Sequence, residues 1–167
     1  MKLLVVTALL ALAVSPAALS AQRDRVISDA GVHLTIPPGW QASTSKSTLC
    51  DPQRLLVASS ASIHFRSAGH LSAPAPGQVF VLVMEDRYVQ DRPTGDLRRP
   101  NHFTVTWNHL RHLDGGSACG LPDAPAHLRY FKTRGRYIGF IVFPGRRLSS
   151  TTRAKTTIVM DSIRVDA

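Results

Sequence analysis

Apolar and polar residues alternate with a period of two along much of this chain. Val32, Leu34 and Ile36 alternate with His33 and Thr35, and Phe103, Val105 and Trp107 alternate with Thr104 and Thr106. That period puts one face of an extended segment in a core and the other in water, so both read as half-buried strands. Val26-Ile27 is a short strand candidate closed by the turn-like Asp29-Ala30-Gly31, and Ile63 and Phe65 give another short alternation. Leu55–Ala58 reads as a compact apolar strand, and Val79–Met84 is apolar on both alternating faces, the pattern of a strand covered on both sides, which Arg136–Phe143 shares. Pro37-Pro38-Gly39 ends an early strand, and Trp40 is expected to anchor the next segment in the core. Thr44–Thr48, Ser67–Gly77, Glu85–Asn101 and Asp114–Pro125 read as loops from their polar, Gly or Pro content.

A hairpin is expected where Leu128–Lys132 and Arg136–Phe143 flank Arg134-Gly135, since glycine suits a two-residue turn needing positive φ. In that register Tyr130 faces Gly139 and Phe131 faces Ile138, pairing an aromatic ring with a cross-strand glycine. Pro144-Gly145 closes the second strand, and Ser149-Ser150-Thr151 offers a helix N-cap. From there to about Ser162, Gly and Pro are absent, and Ala154, Ile158 and Val159 fall at helical spacing. Ile163 and Val165 could form a closing strand. The expected fold class is α+β: an antiparallel β-sheet with a C-terminal helix packed on one face, followed by a short final strand.

The first residues change where this domain is expected to work. Lys2 precedes an apolar run from Leu3 to Val14, then Pro16 and small residues, with Ala18 and Ser20 placed for cleavage beside Ala21. Residues 1–21 are assigned to a signal peptide and 22–167 to a single secreted α+β domain, bound for the cell wall, the periplasm or the extracellular space. The apolar run rises about 18 Å as a helix, short of a roughly 30 Å hydrocarbon layer, so no transmembrane span is expected after cleavage. Of 167 residues, 44% are apolar, 19% charged and 7% aromatic, a globular composition. In an oxidising compartment the two cysteines, Cys50 and Cys119, read as one disulfide, with a metal pair or a reactive thiol as the alternatives. The chain-entropy model gives about 4 kcal/mol for a loop of that length.

The net charge is +9, with 16 Arg and 4 Lys against 11 acids. Solubility and compositional drift account for such a balance; an anionic partner outside the membrane is the alternative. Candidate anion-binding residues are Arg87, Arg92, Arg98 and Arg99 in one loop, and Arg146-Arg147 after a Pro-Gly. They are not interleaved with aromatics as stacking on single strands requires, and no motif for sequence-specific nucleic-acid binding is present.

Two places carry a family likeness. A strand ending in Pro37-Pro38-Gly39-Trp40, and a terminal helix running into Ile158-Val159-Met160-Asp161-Ser162-Ile163-Arg164-Val165, resemble the ends of PsbP-like α/β/α sandwich domains. They look closer still to small secreted proteins of GC-rich bacteria with the same proline-glycine-tryptophan and aspartate-serine-isoleucine frame. The resemblance covers about a dozen residues. It implies a binding or assembly module and transfers no catalytic residue.

Complete catalytic constellations are missing from the sequence. Gly115-Gly116-Ser117-Ala118-Cys119-Gly120 lacks the glycine that a nucleophile elbow needs two positions after its serine. Glu85 and Asp86 close an apolar strand where an acid could act, though a solvated strand end looks the same. His109, His112 and Asp114 could hold a metal if residues 107–112 formed a helical turn; in a strand, positions three apart point oppositely. The leading expectation is a secreted, non-catalytic envelope or extracellular binding module, not an enzyme, using no cofactor and meeting an unidentified envelope or extracellular partner. The alternatives are a small metal-dependent envelope hydrolase and a basic adaptor for anionic cell-wall polymer or lipid. The loop Glu85–Asn101 and the edge near Arg146-Arg147 are the expected contact surfaces.

Overall fold

The computed structural model describes residues 23–46, 54–64, 71–85, 111–113, 121–133 and 135–166. Among them, β1 (Arg25–Asp29), β2 (Val32–Ile36) and β9 (Arg164–Val165) form a three-stranded sheet in the order β1-β2-β9. A six-stranded sheet holds β3 (Gln41–Lys46), β4 (Arg54–Ser59), β5 (Val79–Glu85), β8 (Arg136–Pro144), β7 (Ala126–Thr133) and β6 (Arg111–Leu113), in that spatial order. All pairings are antiparallel. One helix, α1 (Ser150–Asp161), completes the described residues.

The molecule is therefore predominantly β: nine strands in two sheets, and a single 12-residue helix, among the described residues. This overturns the expected α+β class, in which one sheet carried a packed helix and a final strand. The reason lies in the Pro37–Trp40 turn. Trp40 N–H donates to Pro37 O at 3.1 Å and Gly39 holds φ +79°, a type II turn that Pro38 and Gly39 suit. The turn takes the chain out of β2 and starts β3, so the early hairpin belongs to a sheet of its own.

Two side-chain layers follow from the parity of the central strands. Val79, Val81 and Val83 of β5 join Ile138, Phe140 and Val142 of β8 on one face. That face is sealed by Val32, Leu34 and Ile36 of β2, Trp40, and Val159, Met160 and Ile163 at the end of the helix. Phe80, Leu82 and Met84 point the other way, with Ile141, Phe143, Val57, Ala126 and Leu128. Leu71 is buried against this second face, and Ile63, Leu121 and Ala124 pack on it. Each fully buried Leu, Ile or Phe contributes roughly 1.5–3 kcal/mol, and two layers of them make β5 and β8 the spine of the domain.

The helix starts where Ser149 Oγ accepts the Thr152 N–H at 3.0 Å. It buries Thr156, Val159 and Met160; the Thr156 hydroxyl is satisfied by Thr152 O at 2.7 Å. Ser162 ends it and ties it to the small sheet. Its Oγ donates to Val159 O at 2.7 Å and accepts the Thr35 N–H at 2.8 Å. Strand β9 reaches only Val32 and His33 of β2, so this hydroxyl serves the backbone donor that the strand leaves.

Two strands lie outside the sequence expectation. β3 spans a segment whose second half reads as loop, and β6 occupies a stretch where a helical turn was conceivable. The Phe103–Trp107 alternation falls outside the described residues.

Candidate functional site

The β1–β2 hairpin turns on Ala30 (φ +47°) and Gly31 (φ +73°), with Asp29 opposite Val32. This two-residue turn meets the ends of β5, β8 and β9, where Glu85, Arg136 and Asp166 stand. Arg136 Nε and Nη2 donate to the two Glu85 carboxylate oxygens at 2.8 Å each. Both side chains are largely buried, at 22% and 16% exposure. Such a bidentate fork is among the stronger charge-assisted hydrogen bonds. The Glu85 hydrogen bonds raise the Arg136 pKa above its already high ordinary value; burial opposes this, and the Glu85 and Asp166 charges reinforce it.

Asp166 extends the network. Its N–H donates to Gly31 O at 2.8 Å, and its Oδ2 lies 2.9 Å from His33 Nε2. A Cβ built on Gly31 would come within 3.3 Å of Asp166 Oδ2 and 3.4 Å of Arg136 Nη1, so the aspartate and the arginine flank one spot. His33 with Asp166, and Arg136 with Glu85, form two polar pairs beside the β1–β2 turn, and the Asp166 charge acts on Arg136.

Beside this network lies a recess lined by Asp29, Ala30, Val32, Leu56, Val83, Met84, Glu85 and Arg136. Its free volume, open mouth included, is about 200 Å³. Among the described residues it encloses no room even for a water-sized group, which makes it a narrow seam between the two sheets. Ser28 stands opposite His33 in the β1–β2 register, giving the residue types of a Ser-His-Asp triad with Asp166. Among the described residues no hydrogen bond joins Ser28 to His33. Ser28 is exposed and is not among the residues that line the recess.

At the far end of β8 the chain turns through Gly145–Ser149 into α1. Arg146 and Arg147 are both exposed on this turn, and Arg147 holds φ +58°, a region costly for a residue with a side chain. Gly77 N–H donates to Arg146 O at 2.7 Å, and Gly145 N–H to Gln78 O at 2.7 Å, which pin the turn to the segment before β5.

His112 sits on β6, not on a helical turn, directly opposite His127 of β7. Their rings are 5.4 Å apart and tilted by 57°. Burial first, and the neighbouring His112 second, lower the His127 pKa from 6.5. Among the described residues no group of three His, Cys, Asp or Glu could hold a metal ion. His109, Asp114, Arg87, Arg92, Arg98, Arg99, Cys50 and Cys119 lie outside the described residues.

Of the predicted contact residues, Arg146 and Arg147 share one turn. Sequence reasoning noted Glu85 as an acid at a strand end but missed its partner. Arg136 opens β8 after the Gly135 turn, and the register brings it diagonally beside Glu85, which faces Ile138. Only the pairing of β5 with β8 makes that visible. Among the described residues no helix is long and apolar enough to cross a membrane. Comparison with protein-family models, with curated proteins and with solved structures finds no match.

Proposed function

We propose that the protein is an exported, non-catalytic binding module of the cell envelope or extracellular space. The observation that carries this reading is the use made of the polar groups beside the recess. Glu85 and Arg136 spend their hydrogen bonds on each other across two 2.8 Å contacts, in a seam of about 200 Å³. A catalytic acid must hold a proton within reach of a substrate atom, and both oxygens of this carboxylate accept from a guanidinium. The leader-like residues 1–21, Cys50 and Cys119 as one disulfide, and the resemblance to PsbP-like binding modules support the same reading.

Contact with a partner is assigned to Glu85–Asn101, which the sequence reads as a loop, and to the exposed Arg146-Arg147 turn. Saturable retention of the purified protein on isolated envelope fractions is expected at about 150 mM salt, where long-range charge attraction is largely screened. Absence of retention, or ester, phosphoester or glycoside turnover lost with one side-chain change, would overturn the proposal.

A further inference from the structure

We infer that β1 is a contact between two copies of this chain, whose β1 strands pair antiparallel about Ile27 and join the two three-stranded sheets into one. The inference stands apart from the binding-module reading. Among the described residues β1 lies at the edge of its sheet, in the order β1-β2-β9. Its five residues keep an unbroken register with β2, so no bulge twists the edge away. It carries no Pro and no Lys, and Val26 is 55% exposed. The other edges offer less. β9 has two residues and β6 has three, while β3 is polar save Ala42 and closes on Lys46. A regular edge with an exposed apolar side chain is a template for another strand.

Which backbone groups face the open side follows from the turn. In a hairpin closed by the two residues Ala30 and Gly31, Asp29 and Val32 form a hydrogen-bonded pair, and such pairs alternate along the ladder. Ile27 and Arg25 therefore direct their N–H and C=O groups to β2, and Val26 and Ser28 direct theirs outward. Thr35 agrees with this parity. It stands opposite Val26, and its N–H turns away from β1 to Ser162 Oγ at 2.8 Å.

A second copy is the occupant because the strand is complementary to itself. With a two-fold axis at Ile27, Val26 stands opposite Ser28 of the second copy, twice, and each pair exchanges both its hydrogen bonds. Ile27 meets Ile27. Arg25 meets Asp29 at both ends of the ladder, in the non-hydrogen-bonded positions where facing side chains come closest. Those three side chains share one face of β1: Arg25 donates from Nη2 to Trp40 O at 3.0 Å, Ile27 packs on the core, and Asp29 lines the recess. An axis at Val26 or at Ser28 also matches the backbone groups, but it sets Arg25 or Asp29 against Ile27. A strand pair of this length is a small interface, so a dissociation constant on the order of 1–100 µM is expected.

The test is sedimentation velocity of the purified protein and three variants from about 5 to 500 µM, with circular dichroism confirming that each variant folds. The unaltered protein is expected to pass from monomer to dimer across that range. R25D sets carboxylate against carboxylate at both ends of the ladder, and D29R sets guanidinium against guanidinium, so each alone is expected to weaken the dimer about tenfold or more. Their equimolar mixture makes both contacts attractive again, and a heterodimer within about threefold of the unaltered affinity is expected. V26P removes an N–H that points outward and leaves the hairpin's own hydrogen bonds in place, so a folded monomer is expected. A protein monomeric throughout, R25D and D29R dimers as strong as the unaltered one, or a mixture no tighter than its components would overturn the inference. A dimer untouched by V26P would place the contact on another surface and overturn it too.

Discussion

At Gly139 the packing of one side chain against one hydrogen atom can be followed to its consequence. A Cβ there would lie 2.5 Å from Tyr130 Cε1 and 2.8 Å from Cδ1, so the tyrosine ring occupies the space a side chain would need. G139A is expected to lower stability by about 1–3 kcal/mol, read from urea midpoints, because a ring wedged across a strand pair yields only by leaving its rotamer. An unchanged midpoint would show that the ring moves freely. This pair is legible in the sequence because a two-residue turn at Arg134-Gly135 leaves one register. Ala30 is the converse case. Its φ of +47° was invisible to a pattern reading, which sees only a turn-like triplet, and a residue with a Cβ is strained there. A30G relieves the strain, and a gain of roughly 0.5–1 kcal/mol is expected in the same assay.

Between elements, the Glu85–Arg136 fork joins the ends of β5 and β8 beside the β1–β2 turn. E85Q removes the charge and leaves a largely buried guanidinium without its counter-ion, at an expected cost of about 2–4 kcal/mol. E85L/R136M removes both partners and should recover most of that loss; failure to recover would mean that the surrounding network with Asp166 and His33, not the pair, carries the energy. The His112–His127 pair links β6 to β7 in a pH-dependent way. The folded state holds the His127 pKa below 6.5, so in the unfolded chain this group binds its proton at a higher pH. Its contribution to stability is therefore complete above about pH 6.5 and declines as the pH falls through 6.5 toward the lowered folded value. H127Q is expected to flatten that part of the stability curve between about pH 7.5 and 5.5, and an unaltered slope would assign the effect to other histidines. Neither β3 nor β6 was legible. β3 is polar at Ser43 and Thr44 and gains its strand character from pairing with the apolar β4, a long-range fact that local periodicity does not hold. β6 has three paired residues, too few to show a period.

For the whole molecule, the apolar runs at β5 and β8 announced strands covered on both faces, and both faces are indeed filled. What covers one of them was misjudged. A short C-terminal helix was expected to serve, but a separate three-stranded sheet shares the task, because the type II turn at Pro38-Gly39 sends β2 out of the main sheet. Two sheets connected by short turns, with few helical contacts of low sequence separation, fold through pairings distant in sequence. Such a chain gains from any covalent restriction of its unfolded ensemble, and the proposed Cys50–Cys119 disulfide would close a loop reaching from beyond β3 to just before β7. The chain-entropy model assigns it about 4 kcal/mol, comparable to much of the net stability of a small domain. Protein recovered from outside the cytoplasm is expected to show no alkylatable thiol until it is reduced. Reduction should lower its melting temperature by roughly 10 °C or more, from the scaling of stability with melting temperature in a domain this size. Two free thiols before reduction would remove the bridge, and with it the support it lends to export. A bridge present but without thermal effect would place its value in the folding route, not in the folded state, and refolding rates with and without reductant would then separate the two.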